Sequence, residues 1–169
     1  MAAMQPLRDE HAELVPHIEA LAVAGDAVGR GDPADLRAKV DASYHFLAHM
    51  LIPHAQAEDR ALYPVVQRAM GAPEATATMS RDHVEVDRLT ERLGGLRERL
   101  AGVEHADELD ADLADGLRRV LYGLHALVKV HFAKEEEVYL PILEARLTDD
   151  EADRMFADMH GPTHAAHHH

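Results

Sequence analysis

The chain has 169 residues and no cysteine, so it can form one domain with a buried core, and disulfide bonds and cysteine-ligated clusters are excluded. Its formal net charge of −14 at pH 7 argues against nucleic acid or an anionic membrane as a partner. No apolar run has the length of a membrane span and the N-terminus has no secretory core, so we expect a cytoplasmic protein.

Turn signals divide the chain into long helical stretches. The segments GRGDPAD, MGAPEA and AGVEHADE are turns, and in the first of them Asp32 can cap a helix that Pro33 opens. Between the turns, apolar residues recur at helical spacing, and little reads as strand. We therefore predict four long helices, at about residues 3–25, 33–69, 74–101 and 107–146. A short fifth helix follows, opened by a capping box from Thr148 to Glu151.

These elements predict an all-α fold. Short loops make sequential helices antiparallel neighbours, so we expect an up-down-up-down four-helix bundle with a short fifth C-terminal helix. We assign residues 1–158 to this bundle. Residues 159–169 hold five of the 14 histidines, and we expect them to form a His-rich disordered tail, whether as a partial tag or as a metal-binding accessory.

Prolines fall inside two of the predicted helices. Pro53 and Pro64 interrupt the second helix, and Pro141 interrupts the fourth. An interior proline removes a backbone hydrogen bond and costs ~3 kcal/mol. We expect Pro64 and Pro141 to kink their helices just beyond a site, or to mark where each helix stops being regular.

One polar pattern occurs twice in the chain. HAQAEDRALYPVV (residues 54–66) and HFAKEEEVYLPIL (131–143) each begin with a His, carry a Glu four residues later and a Pro six residues after the Glu. Four residues along an α-helix rise about 6 Å and rotate only about 40°, so each His and its Glu share one face. Upstream of the two copies, RDEHAEL and RDHVEV each supply one more His. Two such hairpins packed about an approximate two-fold axis bring together His11, His54, Glu58, His83, His131 and Glu135.

A metal centre is the readiest explanation for this set. A lone His or a single His/Glu pair is usually solvated, but burying six ionisable groups without compensation costs many kcal/mol. Four imidazoles and two carboxylates exceed what one structural zinc needs. Nitrogen and oxygen ligands with open positions suit iron and oxygen chemistry, although affinity alone does not select iron over zinc. The chain has no H-E-x-x-H motif, which would indicate a zincin-type protease. It also has no Glu-x-x-His motif, which would indicate a ferritin-like site.

The doubled motif resembles the hemerythrin-like (HHE cation-binding) domain family over roughly residues 5–146. The resemblance implies a non-haem centre of two iron ions with an oxo or hydroxo bridge. By position in the motif, His11 and His54 serve one iron, while His83 and His131 serve the other. Glu58 and Glu135 are then the bridging carboxylates.

The chain departs from the oxygen-carrying members of that family. Those proteins have a fifth His, four residues from the third-helix His, where this chain has Met79 and Asp87. They also use an Asp five residues after the fourth-helix His, whereas this chain has a Glu at four. We expect a more open site that favours metal oxidation and reaction with peroxide or nitric oxide over reversible oxygen storage.

The expected function is to bind or react with dioxygen, peroxide or nitric oxide, in sensing, scavenging or carriage. The alternatives are a catalase- or peroxidase-like di-iron enzyme and a bundle stabilised by a non-redox metal. The residues do not identify a catalytic group. Members that donate iron for repair usually carry a Cys-containing extra region, so the absence of cysteine argues against that role.

Several neighbours of the motif are weaker site candidates. Tyr139 lies four residues beyond Glu135, where it would contact a bridging carboxylate or line the pocket, or simply belong to the core. His125 and His49 are more simply surface or core residues, unless a local bulge turns them inward. The acidic residues beside the motif are Asp59, Glu136 and Glu137. They most simply form a solvated face, although a hydrogen bond to a ligand His is an alternative.

Overall fold

The computed structural model describes residues 3–165, and the side chains as far as residue 161. This part of the chain is helical and has no strand, which confirms the all-α prediction. Its five helices are α1 (Gln5–Ala27), α2 (33–70), α3 (Ala77–Ala101), α4 (111–146) and α5 (Asp149–Ala165).

Side-chain caps mark the start of three of the helices, α2, α4 and α5. Asp32 accepts a hydrogen bond from the backbone N–H of Ala34, as the turn chemistry predicts. Asp110 caps α4 in the same way, accepting from the N–H of Leu113, so α4 begins at Ala111 rather than near 107. The Oγ of Thr148 accepts from the N–H of Glu151 at the start of α5.

Helices α2 and α4 contain π-helical turns directly before their interior prolines. These turns span Leu47–Leu51, Glu58–Leu62 and Glu135–Tyr139. In each case the residue before the proline donates its N–H to a carbonyl five residues back, as Tyr63 does to Glu58. The wider turn accommodates a proline that lacks an N–H and would crowd the preceding carbonyl. Pro16 also lies inside α1, and no π turn precedes it.

The polar residues of the repeat lie between two apolar clusters. The larger cluster includes Leu14 of α1 and Val86 of α3, and the smaller one includes Leu7 and Met79 of the same helices. The N-terminal parts of α1 and α3 belong to the smaller cluster, and so do the C-terminal parts of α2 and α4. Alternating helix directions produce this pattern. Helix α1 packs against α2 and α4, and so does α3. The up-down-up-down topology itself stays a prediction.

Helix α5 covers the end of the bundle that holds the smaller cluster. Its apolar side chains, Ala152, Met155 and Met159, belong to that cluster. The boundary predicted at residue 158 is therefore too early, because Met159 is only 1 % exposed and the helix continues to Ala165. The rest of the predicted disordered tail, residues 166–169, lies outside the described residues. Among residues 3–165, no helix is both long and apolar enough to span a membrane.

Candidate metal centre

The structure brings all six residues of the doubled motif into the polar layer between the two apolar clusters. The two carboxylates are the most deeply buried, with Glu58 1 % and Glu135 0 % exposed. Three of the imidazoles are buried, and the side chain of His54 keeps 10 % of its surface exposed. Four helices contribute, α1 with His11, α2 with His54 and Glu58, α3 with His83, and α4 with His131 and Glu135.

Glu58 lies at the centre of the arrangement. Its Oε2 is 3.5 Å from the Nε2 of His54, and its Oε1 is 3.3 Å from the Nε2 of His83. Two groups offer ligand atoms within 4.8 Å of one another, and Glu58 belongs to both, once with His11 and His54 and once with His83 and His131. The two oxygens of one carboxylate therefore face two adjacent positions that can each hold a cation.

Glu135 lies on α4 beside His131, a member of the second group. Its Oε1 lies 2.9 Å from the Nε2 of His131, one helical turn earlier. Burial and the negative charge of Glu58 raise the pKa of Glu135 well above its ordinary value. The protonated form of Glu135 is therefore favoured when no cation neutralises the pair.

Carboxylates outside the layer orient three of the imidazoles. The Nδ1–H of His11 donates to Glu136 over 2.6 Å, and those of His83 and His131 donate to Asp59 and Asp82 over 2.9 Å. In the neutral form of each ring, Nε2 then carries a lone pair directed into the layer, the tautomer that a metal ligand needs.

The acidic residues next to the bridging glutamates thus have a role that the simplest interpretation of the sequence missed. Asp59 and Glu136 follow Glu58 and Glu135 at equivalent positions of the repeat. Each crosses to a His of the other half-chain. Glu137 is exposed, as a solvated face requires. Asp82 was not predicted from the sequence, although its place directly before His83 was the available signal.

Several buried polar atoms find no hydrogen-bond partner among the described residues. They include both carboxylate oxygens of Glu58 and Glu135 and the Nε2 atoms of His11 and His54. Burial lowers the pKa of His131, but the nearby carboxylates of Glu135 and Glu58 outweigh it and raise that pKa to about 10. Cations satisfy lone pairs and anionic oxygens together, so the residues present fit a metal centre.

Tyr63 is a second site residue that sequence reasoning missed. Its buried hydroxyl lies 3.2 Å from the Nε2 of His83 and 3.2 Å from the Nε2 of His131. Burial and the charges of the nearby carboxylates raise its pKa, so it is a neutral phenol when no cation is bound. The available signal was the proline that follows Tyr63, because the π turn before it lets the fifth residue after Glu58 face the centre.

The three weaker candidates have their contacts elsewhere, in line with the surface or core roles that the sequence also allowed for them. The hydroxyl of Tyr139 donates to the carbonyl of Ala75. His125 pairs with Glu19 at the surface, 3.2 Å away. His49 is exposed, and its ring packs against another exposed imidazole.

The positions of the fifth histidine in oxygen carriers do not provide a ligand here. Met79 is fully buried in the smaller apolar cluster, and Asp87 is exposed. The donor set on α3 is therefore limited to one imidazole.

A narrow cavity adjoins the polar layer. Its wall is apolar on one side, with Leu51, Val86, Val128 and Phe132, and carries ligand-type side chains such as His54 on the other. The volume open to a water-sized molecule is about 10 Å³, which is enough for one molecule of that size. Only a very small ligand can therefore occupy it without movement of the walls.

Fold and site together define a helical bundle that binds cations through imidazoles and carboxylates. A family model described as the hemerythrin HHE cation binding domain matches residues 3–143. The chain belongs to this family. Neither the curated proteins nor the solved structures gave a match to the chain.

Proposed function

We propose that the protein is a non-haem di-iron protein that binds or reacts with dioxygen, peroxide or nitric oxide. The observation that carries this proposal is the position of Glu58, whose two oxygens face two separate groups of imidazoles. A single structural ion does not need such an arrangement, whereas two ions that share a carboxylate do.

The ligands divide between the two positions as the family pattern implies. His11 and His54 hold one iron, and His83 and His131 hold the other, with Glu58 as a bridge. Glu135 contacts the His83/His131 side directly, and its second oxygen is available to bridge. These nitrogen and oxygen donors leave open positions on iron, and the bound metal pair supplies the redox chemistry.

The rest of the site prepares the ligands and restricts access. Asp59, Asp82 and Glu136 keep three imidazoles in one tautomer, so the lone pairs point inward before any metal arrives. The apolar wall of the cavity limits contact with bulk water, and the small volume restricts access to small molecules. Dioxygen, nitric oxide and peroxide are among the smallest ligands of iron.

A specific observation favours the enzymatic alternative, a catalase- or peroxidase-like activity. Met79 occupies a position that supplies an additional imidazole in oxygen carriers, and its burial among apolar side chains removes that donor. Fewer imidazoles leave more of the coordination sphere exchangeable, which favours turnover of peroxide over stable oxygen storage.

Two measurements test the proposal. Metal analysis of the full chain should find two iron ions per molecule, and the Glu58→Ala variant should lose the pair, which separates the buried site from metal held by the His-rich end. Stopped-flow mixing of the ferrous protein with oxygen should then give either a stable, reversible optical band, which indicates binding, or rapid bleaching with peroxide turnover, which indicates catalysis. Stoichiometric zinc, or ferrous protein inert to all three reagents, would refute it.

A further inference from the structure

We propose that the phenol oxygen of Tyr63 is itself an iron ligand, on the His83/His131 side of the centre, so that the two metal positions are chemically unequal. This inference rests on the proposed function, because it concerns one of the two positions assigned there. Its basis is the geometry of the donor atoms around Tyr63.

The distances between donor atoms match those around one ion. Two ligands at right angles, with bonds of about 2.1 Å, have donor atoms about 3.0 Å apart. The Nε2 atoms of His83 and His131 are 3.1 Å apart, and the hydroxyl oxygen of Tyr63 is 3.2 Å from each. Glu58 Oε1 lies near both imidazoles, 3.3 Å from the Nε2 of His83 and 3.9 Å from that of His131. The hydroxyl and the two Nε2 atoms therefore form a triangle whose sides suit three ligands of one ion.

Hydrogen bonds alone do not account for this triangle. The Nδ1 atoms of His83 and His131 donate to Asp59 and Asp82, so their Nε2 atoms are the ones that face the hydroxyl. The phenol proton can serve one contact of the triangle, and a proton on His131 can serve a second. The third contact is left without a hydrogen bond. A cation placed between the hydroxyl oxygen and the two Nε2 atoms binds all three donor atoms at once.

The opposite side of the centre lacks this oxygen. Tyr63 and Leu140 occupy equivalent positions of the repeat, each directly before a proline. The Nε2 atoms of His11 and His54 are without a partner among the described residues, whereas those of His83 and His131 are in contact with the hydroxyl. The His11/His54 position therefore keeps more exchangeable sites, and a small exogenous ligand binds there.

Ligation by Tyr63 exchanges one bond for another. The O–H bond breaks as the oxygen–iron bond forms, and the proton passes to solvent. No electron is transferred, so ferric iron stays ferric and no further reagent is required.

Phenolate bound to ferric iron absorbs visible light through charge transfer, which gives a direct test on the full chain. The ferric protein should show this band together with the tyrosinate vibrations in its resonance Raman spectrum. Tyr63→Phe should lose both while it keeps its iron. Tyr139→Phe is the matched control and should keep both, because its hydroxyl bonds to a backbone carbonyl outside the site.

The outcomes separate this inference from the proposed function. Two irons per chain with no tyrosinate vibrations in the unaltered protein, or a band that survives in Tyr63→Phe, overturn the inference and leave the di-iron proposal intact. A chain that binds no iron overturns both. If Tyr63→Phe does not fold, the Raman spectrum of the unaltered protein decides, because the other three tyrosines, Tyr44, Tyr122 and Tyr139, have their contacts away from the centre.

Discussion

Removal of the metal is expected to lower the melting temperature of this protein markedly. Chelation leaves the carboxylates of Glu58 and Glu135 in the interior, where their four oxygens have no hydrogen-bond partner among the described residues. The Nε2 atoms of His11 and His54 lose their partner as well. Folding then buries polar groups that water satisfies in the unfolded chain.

The size of the effect follows from these six atoms. A buried polar atom left without a partner costs ~1–3 kcal/mol. Protonation of Glu135, which its raised pKa favours, offsets part of that cost, so the low end applies, with a total of about 5 kcal/mol. A chain of this length loses about 2–4 °C of melting temperature for each kcal/mol, which predicts a drop of about 10–20 °C.

Thermal denaturation followed by circular dichroism measures this drop. Iron-loaded and chelated protein are compared in the same buffer, at a fixed metal concentration, because a bound ligand makes the melting temperature depend on its concentration. In Glu58→Ala the two forms should melt within a few degrees of each other. Equal melting temperatures for iron-loaded and chelated unaltered protein would refute the reasoning, and so would a full-sized drop in Glu58→Ala.

Three further predictions concern the ligands and the groups that support them. Glu58→Ala and Glu135→Ala should each lose the iron pair. Leu62→Ala is the control and should keep the iron pair, although it should cost ~2–5 kcal/mol of stability. Metal analysis showing two irons per chain in either Glu variant would contradict the bridging role. Asp82→Asn should weaken metal binding about 10–100-fold, since its carboxylate orients His131; an unchanged affinity in competition with a chelator would show that the hydrogen bond is unimportant. Burial lowers the pKa of His131, but the nearby carboxylates of Glu135 and Glu58 raise it to about 10. The metal-free ring is therefore protonated at neutral pH, and metal affinity should increase as the pH rises toward that value. Titration calorimetry in buffers of different ionisation enthalpy should detect the released protons, and their absence would exclude a protonated His131.

The local elements were predictable because they depend on residues close together in sequence. Asp32 begins α2 as its capping chemistry predicts, and apolar residues at helical spacing mark the long helices. Where the prediction failed, a local detail was weighted incorrectly. Helix α4 starts at Ala111 because Asp110, rather than a residue near 107, supplies the cap.

The groups that support the ligands depended on contacts across the bundle. Asp59 and Glu136 resemble any exposed acidic residues until α3 and α1 place an imidazole beside them. Asp82 acts on His131, which is 49 residues away in sequence. Such pairs arise from the packing of half-chains, which the repeat suggested only in outline.

The sequence by itself determined the polar set, because a His and a Glu four residues apart must share a face of an α-helix wherever that helix packs. It also determined that two such pairs, each with a further upstream His, belong to equivalent halves. Only the tertiary structure decided which tyrosine reaches the centre. A π turn before Pro64 adds one residue to the turn after Glu58, so the side chain that faces the imidazoles is that of Tyr63, and its counterpart in the other half is a leucine.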